Sequence, residues 1–198
     1  IIQDAVSLNS NQAIGGPAGT SDSGLSTAAT DGQSFANDVF LYTGAQLTFD
    51  NTTDLIANFS IQSDPKSPRD KGISKTNVGK VTLSSTSNNY RGGTSIYQGT
   101  LSIERDVLGA PFGPDVFGDP SAQDPSGLIY FHGGILESTS TFFLSRDIYL
   151  AYSGTISVVP SSTLTIPTII VGPGRLIKAN GGTLVLTGAN NYAGGTTV

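Results

Sequence analysis

A pattern that occurs twice limits this chain more than any other feature. Lys80-Val81-Thr82-Leu83, followed by Asn88-Asn89-Tyr90-Arg91-Gly92-Gly93-Thr94-Ser95-Ile96, returns as Thr183-Leu184-Val185-Leu186, followed by Asn190-Asn191-Tyr192-Ala193-Gly194-Gly195-Thr196-Thr197-Val198. The two copies are offset by 103 residues from Ile73 to Leu83 and by 102 from Asn88 to Ile96. Upstream the offset is 109: Asp38-Val39-Phe40-Leu41 answers Asp147-Ile148-Tyr149-Leu150, and Leu55-Ile56-Ala57 answers Leu164-Thr165-Ile166. The difference between 109 and 103 places a six-residue insertion in the first copy, within the polar stretch from Ser63 to Asp70, where Pro and Asp supply loop chemistry. Matched segments keep apolar positions apolar, as a duplicated structural unit requires.

The second copy shows a finer period. Apolar alternating pairs fall at Ile148/Leu150, Ile156/Val158, Leu164/Ile166, Ile169/Val171 and Leu184/Leu186, separated by Ser, Gly, Pro and Asn clusters. Short strands at such even spacing fit an antiparallel sandwich or barrel, or a solenoid with three strands per coil. Even spacing, small polar corners and insertions that leave flanking strands intact favour the solenoid. Composition agrees: hydrophobic residues make up 37% of the chain and charged residues 13%, with 25 Gly and neither Cys, Met nor Trp. Ser, Thr and Asn compete for backbone hydrogen bonds and Gly disfavours helix, whereas Ile, Val, Leu, Phe and Tyr suit a pleated surface. The expected fold is all-β, a three-faced β-solenoid that is a fragment of a longer rod. Ile at position 1 and a motif running to Val198 point to an excised or processed piece. A rod cut within a repeat exposes apolar edges, so a candidate cap in residues 1–34 or end-to-end contacts are expected. Residues 35–198 form the solenoid, with 35–96 and 144–198 matched and loop insertions near 63–71 and 110–127.

The quoted residues resemble the autotransporter-associated β-strand (passenger-associated) repeat of bacterial autotransporter passenger domains. That signature reads approximately Gly-Thr-Leu-x-Leu-x-Gly-x-Asn-x-Tyr-x-Gly-Gly-Thr-x-Val; Gly182 to Val198 fits it closely, and Gly79 to Ile96 fits with one inserted residue. Ile129-Tyr130-Phe131-His132-Gly133-Gly134-Ile135-Leu136 also looks like a coil of that family. The resemblance implies a right-handed parallel β-helix, exported by type V secretion and displayed at the bacterial cell surface or released. It also implies an outer-membrane translocator barrel elsewhere in the parent chain. The implied function is a structural or adhesive scaffold presenting loops to host or bacterial surface molecules or to further copies of itself. The alternative is a carbohydrate-binding or carbohydrate-active β-helix, with a glycan as partner.

Chemistry-bearing residues are sparse. A glycan-cleaving β-helix needs carboxylates that converge to protonate a leaving oxygen and activate water. Most acids here sit in Pro/Gly loops: Asp64, Asp70, Asp115, Asp119 and Asp124. The last three lack regular Ca²⁺-loop spacing. Asp50 and Asp54, the nearest pair, have no acidic counterpart in the second copy and read as solvated. Asp38 and Asp147 recur, as a corner side chain accepting backbone N–H bonds would. Lys75 and Lys178 recur and read as surface corner lysines. His132, the only histidine, reads as a strand-surface residue; alone and without Cys it does not make a typical zinc site. The Asn-x-Thr triplet at Asn51 and the Asn-x-Ser triplet at Asn58 are chance occurrences in a Ser/Thr-rich chain. Asn88, Asn89 and Tyr90, with Asn190, Asn191 and Tyr192, could be taken for a sugar site, but their recurrence points to Asn ladders and a Tyr covering a coil edge. No catalytic, cofactor-binding or metal residue is assigned, and no cofactor is expected. A net charge of −5 with scattered basic residues disfavours nucleic acid as a partner.

Overall fold

The protein's computed structural model describes residues 2–3, 38–41, 44–63, 71–90, 92–106 and 128–198. Inward side chains recur with every coil and form ladders along the axis. Leu47 lies beside Ile73, Ile73 beside Thr94, Thr94 beside Ile129, Ile129 beside Ile148, and Ile148 beside Ile170. Because neighbouring strands sit about 4.8 Å apart, each apolar residue touches its counterparts above and below. Each fully buried Leu, Ile or Phe so placed contributes about 1.5–3 kcal/mol.

Among the described residues all pairings are parallel and the strands are short, which settles the architecture as the solenoid rather than the antiparallel sandwich or barrel. The first wall holds eight strands: β1 (Ile2–Gln3), β3 (Leu47–Asp50), β6 (Ile73–Lys75), β8 (Thr94–Ile96), β10 (Ile129–Phe131), β13 (Ile148–Leu150), β16 (Ile170–Gly172) and β19 (Asn191–Tyr192). The second holds seven: β4 (Leu55–Ala57), β7 (Lys80–Leu83), β9 (Thr100–Ile103), β11 (Ile135–Ser138), β14 (Gly154–Val158), β17 (Leu176–Ala179) and β20 (Thr196–Thr197). The third wall is split. Strands β2 (Asp38–Leu41) and β5 (Ser60–Ser63) form one part, and β12 (Phe142–Phe143), β15 (Thr163–Ile166) and β18 (Thr183–Leu186) the other. Between the two parts the stacking continues without strands: the Asn89 amide donates to the Ile61 carbonyl at 2.9 Å, and the Ser145 amide to an Asp106 carboxylate oxygen at 2.8 Å. The described residues form a β-solenoid of about six turns with no helix.

The two sequence copies do not lie on the same walls. β2 belongs to the third wall, yet its counterpart β13 belongs to the first; β3 and β6, in the first wall, match β14 and β17 in the second. β7 in the second wall matches β18 in the third. One repeat therefore advances four coils plus one wall, and successive copies are turned by one face about the axis. Strand-to-strand matching alone shows a duplication; the rotation arises because thirteen wall segments, together with the 110–127 insertion, fill the 103–109-residue offset.

The insertions at 63–71 and 110–127 fall almost wholly outside the described residues, as do Asp64, Asp70, Asp115, Asp119, Asp124 and the side chain of Asp38. Of residues 1–34, only the strand Ile2–Gln3 is described, and it adds to the first wall beside Phe49 and Asp50.

Candidate functional site

The recurring asparagines turn out to stitch one coil to the next. The buried Asn88 side chain accepts the Ile61 amide at 2.8 Å, and Asn190 accepts the Ile170 amide at 2.8 Å. Ile61 and Ile170 are themselves counterparts at the 109 offset, so the same clamp is built twice on different walls. Four residues after each tyrosine of the motif its hydroxyl finds a threonine: Tyr90 to Thr94 at 2.8 Å and Tyr192 to Thr196 at 2.6 Å. These contacts correct the expectation of Asn ladders and an edge-covering Tyr. The Asn bonds backbone, and Tyr90 is wholly buried in the core. Replacing Asn88 with Ala leaves a buried amide unmatched, an expected cost of about 1–3 kcal/mol in urea denaturation. Asn190→Ala should cost clearly less, since water reaches that half-buried corner.

Lys75 corrects a second expectation. Rather than lying on the surface it is 1% exposed, its stem pointing inward between Phe49 and Ile96 in the first-wall ladder. The ammonium donates to the Asn77 carbonyl, two residues on. Lys178 does the same with Asn180 at 2.7 Å and also with Ala179. An unbranched stem suits an inward position whose tip must reach a corner carbonyl, and the sequence shows only the recurrence. Burial pushes the Lys75 pKa below its ordinary 10.5, and the Asp50 charge opposes that only in part. A lowered base binds fewer protons folded than unfolded, so stability rises with pH through the interval up to 10.5. Lys75→Met keeps the stem and removes the buried charge. Its urea midpoint should match or exceed that of the parent protein at neutral pH, by up to about 2 kcal/mol. The upward slope toward pH 10.5 should vanish.

The acids are likewise engaged in the scaffold. Asp147 accepts the Ile169 amide at 3.3 Å, as its recurrence predicts. Asp50 ends strand β3 and accepts from the Thr76 hydroxyl at 3.2 Å, and Asp54 accepts the Lys80 amide at 3.3 Å, so this pair bonds the next coil rather than only water. Asn51 is fully buried and donates to the Thr53 and Lys80 carbonyls at 2.6 and 3.1 Å. Asn58 is exposed. Among the described residues, no group of three or more His, Cys, Asp or Glu side chains comes together to hold a metal ion.

Where the third wall lacks strands, an ion pair fills the gap. Arg146 and Asp106 are 2% and 7% exposed, with Nη2 and Oδ1 3.9 Å apart. Burial pushes the Arg146 pKa down, opposed by the charge of Asp106 and by Tyr90. Spacing could not reveal this pair, because the partners are 40 residues apart and Asn37 stands where the first copy would match Arg146.

The outer surface carries two features of another kind. His132 sits at the corner after β10, not within a strand, and its ring stacks on Tyr97 at 4.3 Å between centroids and 6° between planes. Tyr152 follows one coil on, 6.4 Å away and tilted by 52°. Burial lowers the His132 pKa below its ordinary 6.5, leaving the imidazole neutral at neutral pH. Elsewhere a cleft of about 520 Å³ is lined by Glu104, Arg105, Thr139, Ser140 and Thr141, with Glu104 and Arg105 paired at 3.8 Å on its exposed rim.

Parallel coils joined by a twice-built Asn clamp, with a Tyr–Thr bond closing the corner beside it, define a repeat-bearing solenoid scaffold. The model of the passenger-associated-transport-repeat family matches residues 73–103 and 176–198, the two segments that carry the Lys75 and Lys178 strands. The chain is 32% identical over 191 residues to the protein named adhesin BmaC autotransporter of Brucella suis biovar 1 (strain 1330), an alignment covering 88% of this chain and 6% of that protein. The chain thus spans about 6% of the length of the curated relative it matches. No solved structure matches it. The chain belongs to the autotransporter passenger domains built on these repeats.

Proposed function

We propose that this segment is a stiff, surface-displayed scaffold in an adhesive passenger, holding loops away from the cell envelope for contact with host or bacterial surfaces. One observation carries the reading: the recurring asparagines close the same hydrogen bond from one coil to the next at two places, as a rod requires. The relative's name, an adhesin autotransporter, supports adhesion as the use of that rod. A non-enzymatic role fits the same facts, because Asp50, Asp54 and Asp147 each bond backbone or hydroxyl groups of an adjoining coil. The parent chain carries its own translocator barrel on this reading, with the passenger outside the outer membrane.

Bacteria displaying the full-length parent, with and without residues 110–127, provide the test. Loss of adherence with the coil fold retained by circular dichroism is the expected result. Unchanged adherence to every surface the parent binds would remove that loop as the contact element.

A further inference from the structure

Four of the seven tyrosines and the sole histidine gather on three successive coils, and none takes part in the corner clamps. Tyr97, His132 and Tyr152 occupy the corner between the first and second walls. Tyr130 and Tyr149 are paired neighbours on the outward face of the first wall, two and three residues before that corner, with centroids 6.0 Å apart and planes at 56°. Tyr97 and Tyr152 are 46% and 68% exposed. Tyr97 and His132 cover one another's ring faces, whereas Tyr152, tilted away, keeps its own open to solvent.

We propose that this aromatic platform binds a neutral glycan, whose apolar ring face stacks on the open face of Tyr152 while its hydroxyls bond the phenols and His132. Three observations choose this occupant. The outward row of the first wall, through Ser74, Ser95, Tyr130, Tyr149 and Val171, carries no charged side chain, which disfavours phosphate, acidic or cationic ligands. Five rings are few against the roughly 20–30 residues per side of a stable protein interface, but enough for two or three sugar rings. Tyr97, His132 and Tyr152 also follow one another on successive coils, one step of about 4.8 Å at a time, so sugars flanking the unit stacked on Tyr152 lie within reach of the neighbouring ring edges and hydroxyl. The proposal rests on the adhesive reading and names the ligand class of the attachment surface.

The chain has no Trp, so its intrinsic fluorescence is that of tyrosine, and more than half of its tyrosines lie in the platform. Titration with maltohexaose, cellohexaose and the N-acetylglucosamine hexamer, checked by saturation-transfer NMR, should show saturable binding of at least one. Tyr152→Ala and Tyr97→Ala should each weaken it roughly two- to tenfold, with the circular dichroism spectrum unchanged, while Tyr192→Phe, outside the platform, should bind as before. Absence of binding by all three sugars, or equal affinity in Tyr152→Ala, overturns the proposal, as does a protein ligand that needs Tyr152 when no sugar binds. Adherence of cells displaying the full-length parent is scored separately. If sugar binding fails and adherence persists, the platform falls and the adhesive reading stands; if adherence fails as well, both fall.

Discussion

Arg146→Ala and Asp106→Ala should each destabilise the solenoid by about 3–5 kcal/mol in urea or thermal unfolding, because each leaves an oppositely charged partner buried without its counter-charge. The expectation rests on burial, with both side chains less than one-tenth exposed, and on what surrounds them. At this level the third wall has no strands, and the Asp106 carboxylate takes over part of the ladder by accepting the Ser145 amide at 2.8 Å. The Arg146 carbonyl in turn accepts the Thr168 hydroxyl at 2.6 Å, one coil further on. Removing the carboxylate therefore deletes a charge and a coil-to-coil bond together. The double variant Asp106→Leu with Arg146→Leu should recover much of the loss, since no isolated charge then remains in the core. A double variant as unstable as the sum of the singles would show that hydrogen bonding rather than charge pairing holds this level together. By contrast, the exposed pair Glu104–Arg105 should change stability by less than about 1 kcal/mol.

The sequence reveals the coil but not its phase. Alternating pairs such as Ile148/Leu150 and Leu164/Ile166 announce strands, because one buried face demands a period of two. Gly, Pro and Asn between them announce corners. The walls that paired copies occupy depend on how many wall segments intervene, and two of those segments, near 84–90 and 104–106, form no strand and leave no alternating pattern. Lys75 was misread for a related reason. A lysine at a strand end looks solvated in sequence, and only the register beside Phe49 and Ile96 shows its stem pointing inward. His132 and the tyrosines around it lie in three separate coils, so their proximity belongs to the stacking and not to any local motif. What recurs at a fixed offset could be read as scaffold, and the clamps at Asn88 and Asn190 bear this out. The platform and the buried ion pair join residues of different coils that no spacing links, and they needed coordinates.

Gly99→Ala should be among the most damaging single-methyl changes in the protein, costing about 2–5 kcal/mol. Gly99 turns the corner between β8 and β9 with φ +68, a conformation that costs an L side chain about 1–2 kcal/mol. A methyl there would also lie 2.2 Å from the Asn77 carbonyl oxygen and 2.5 Å from that of Gly79, both backbone atoms of the preceding coil. No side-chain rotation can relieve that contact, so two coils must separate where the Thr100 amide donates to the Gly79 carbonyl at 3.3 Å. Lys75 Nζ lies 2.9 Å from the same point, so the methyl also presses on the buried ammonium that donates to Asn77. Gly195→Ala supplies the matched comparison: φ is +71, yet nothing lies within 4 Å of the added carbon. Its cost should stay near the conformational part alone, about 1–2 kcal/mol. The difference between the two variants, measured by urea unfolding under one set of conditions, isolates the energy of coil-to-coil contact at a corner. Because each coil of a solenoid is stabilised by its neighbours, hydrogen exchange in Gly99→Ala should speed up first at the amides of Tyr97, Thr100 and Ile135, which bond across this corner. Exchange that quickened uniformly along the rod would mean that the coils unfold as one cooperative unit, with no local opening at the altered corner.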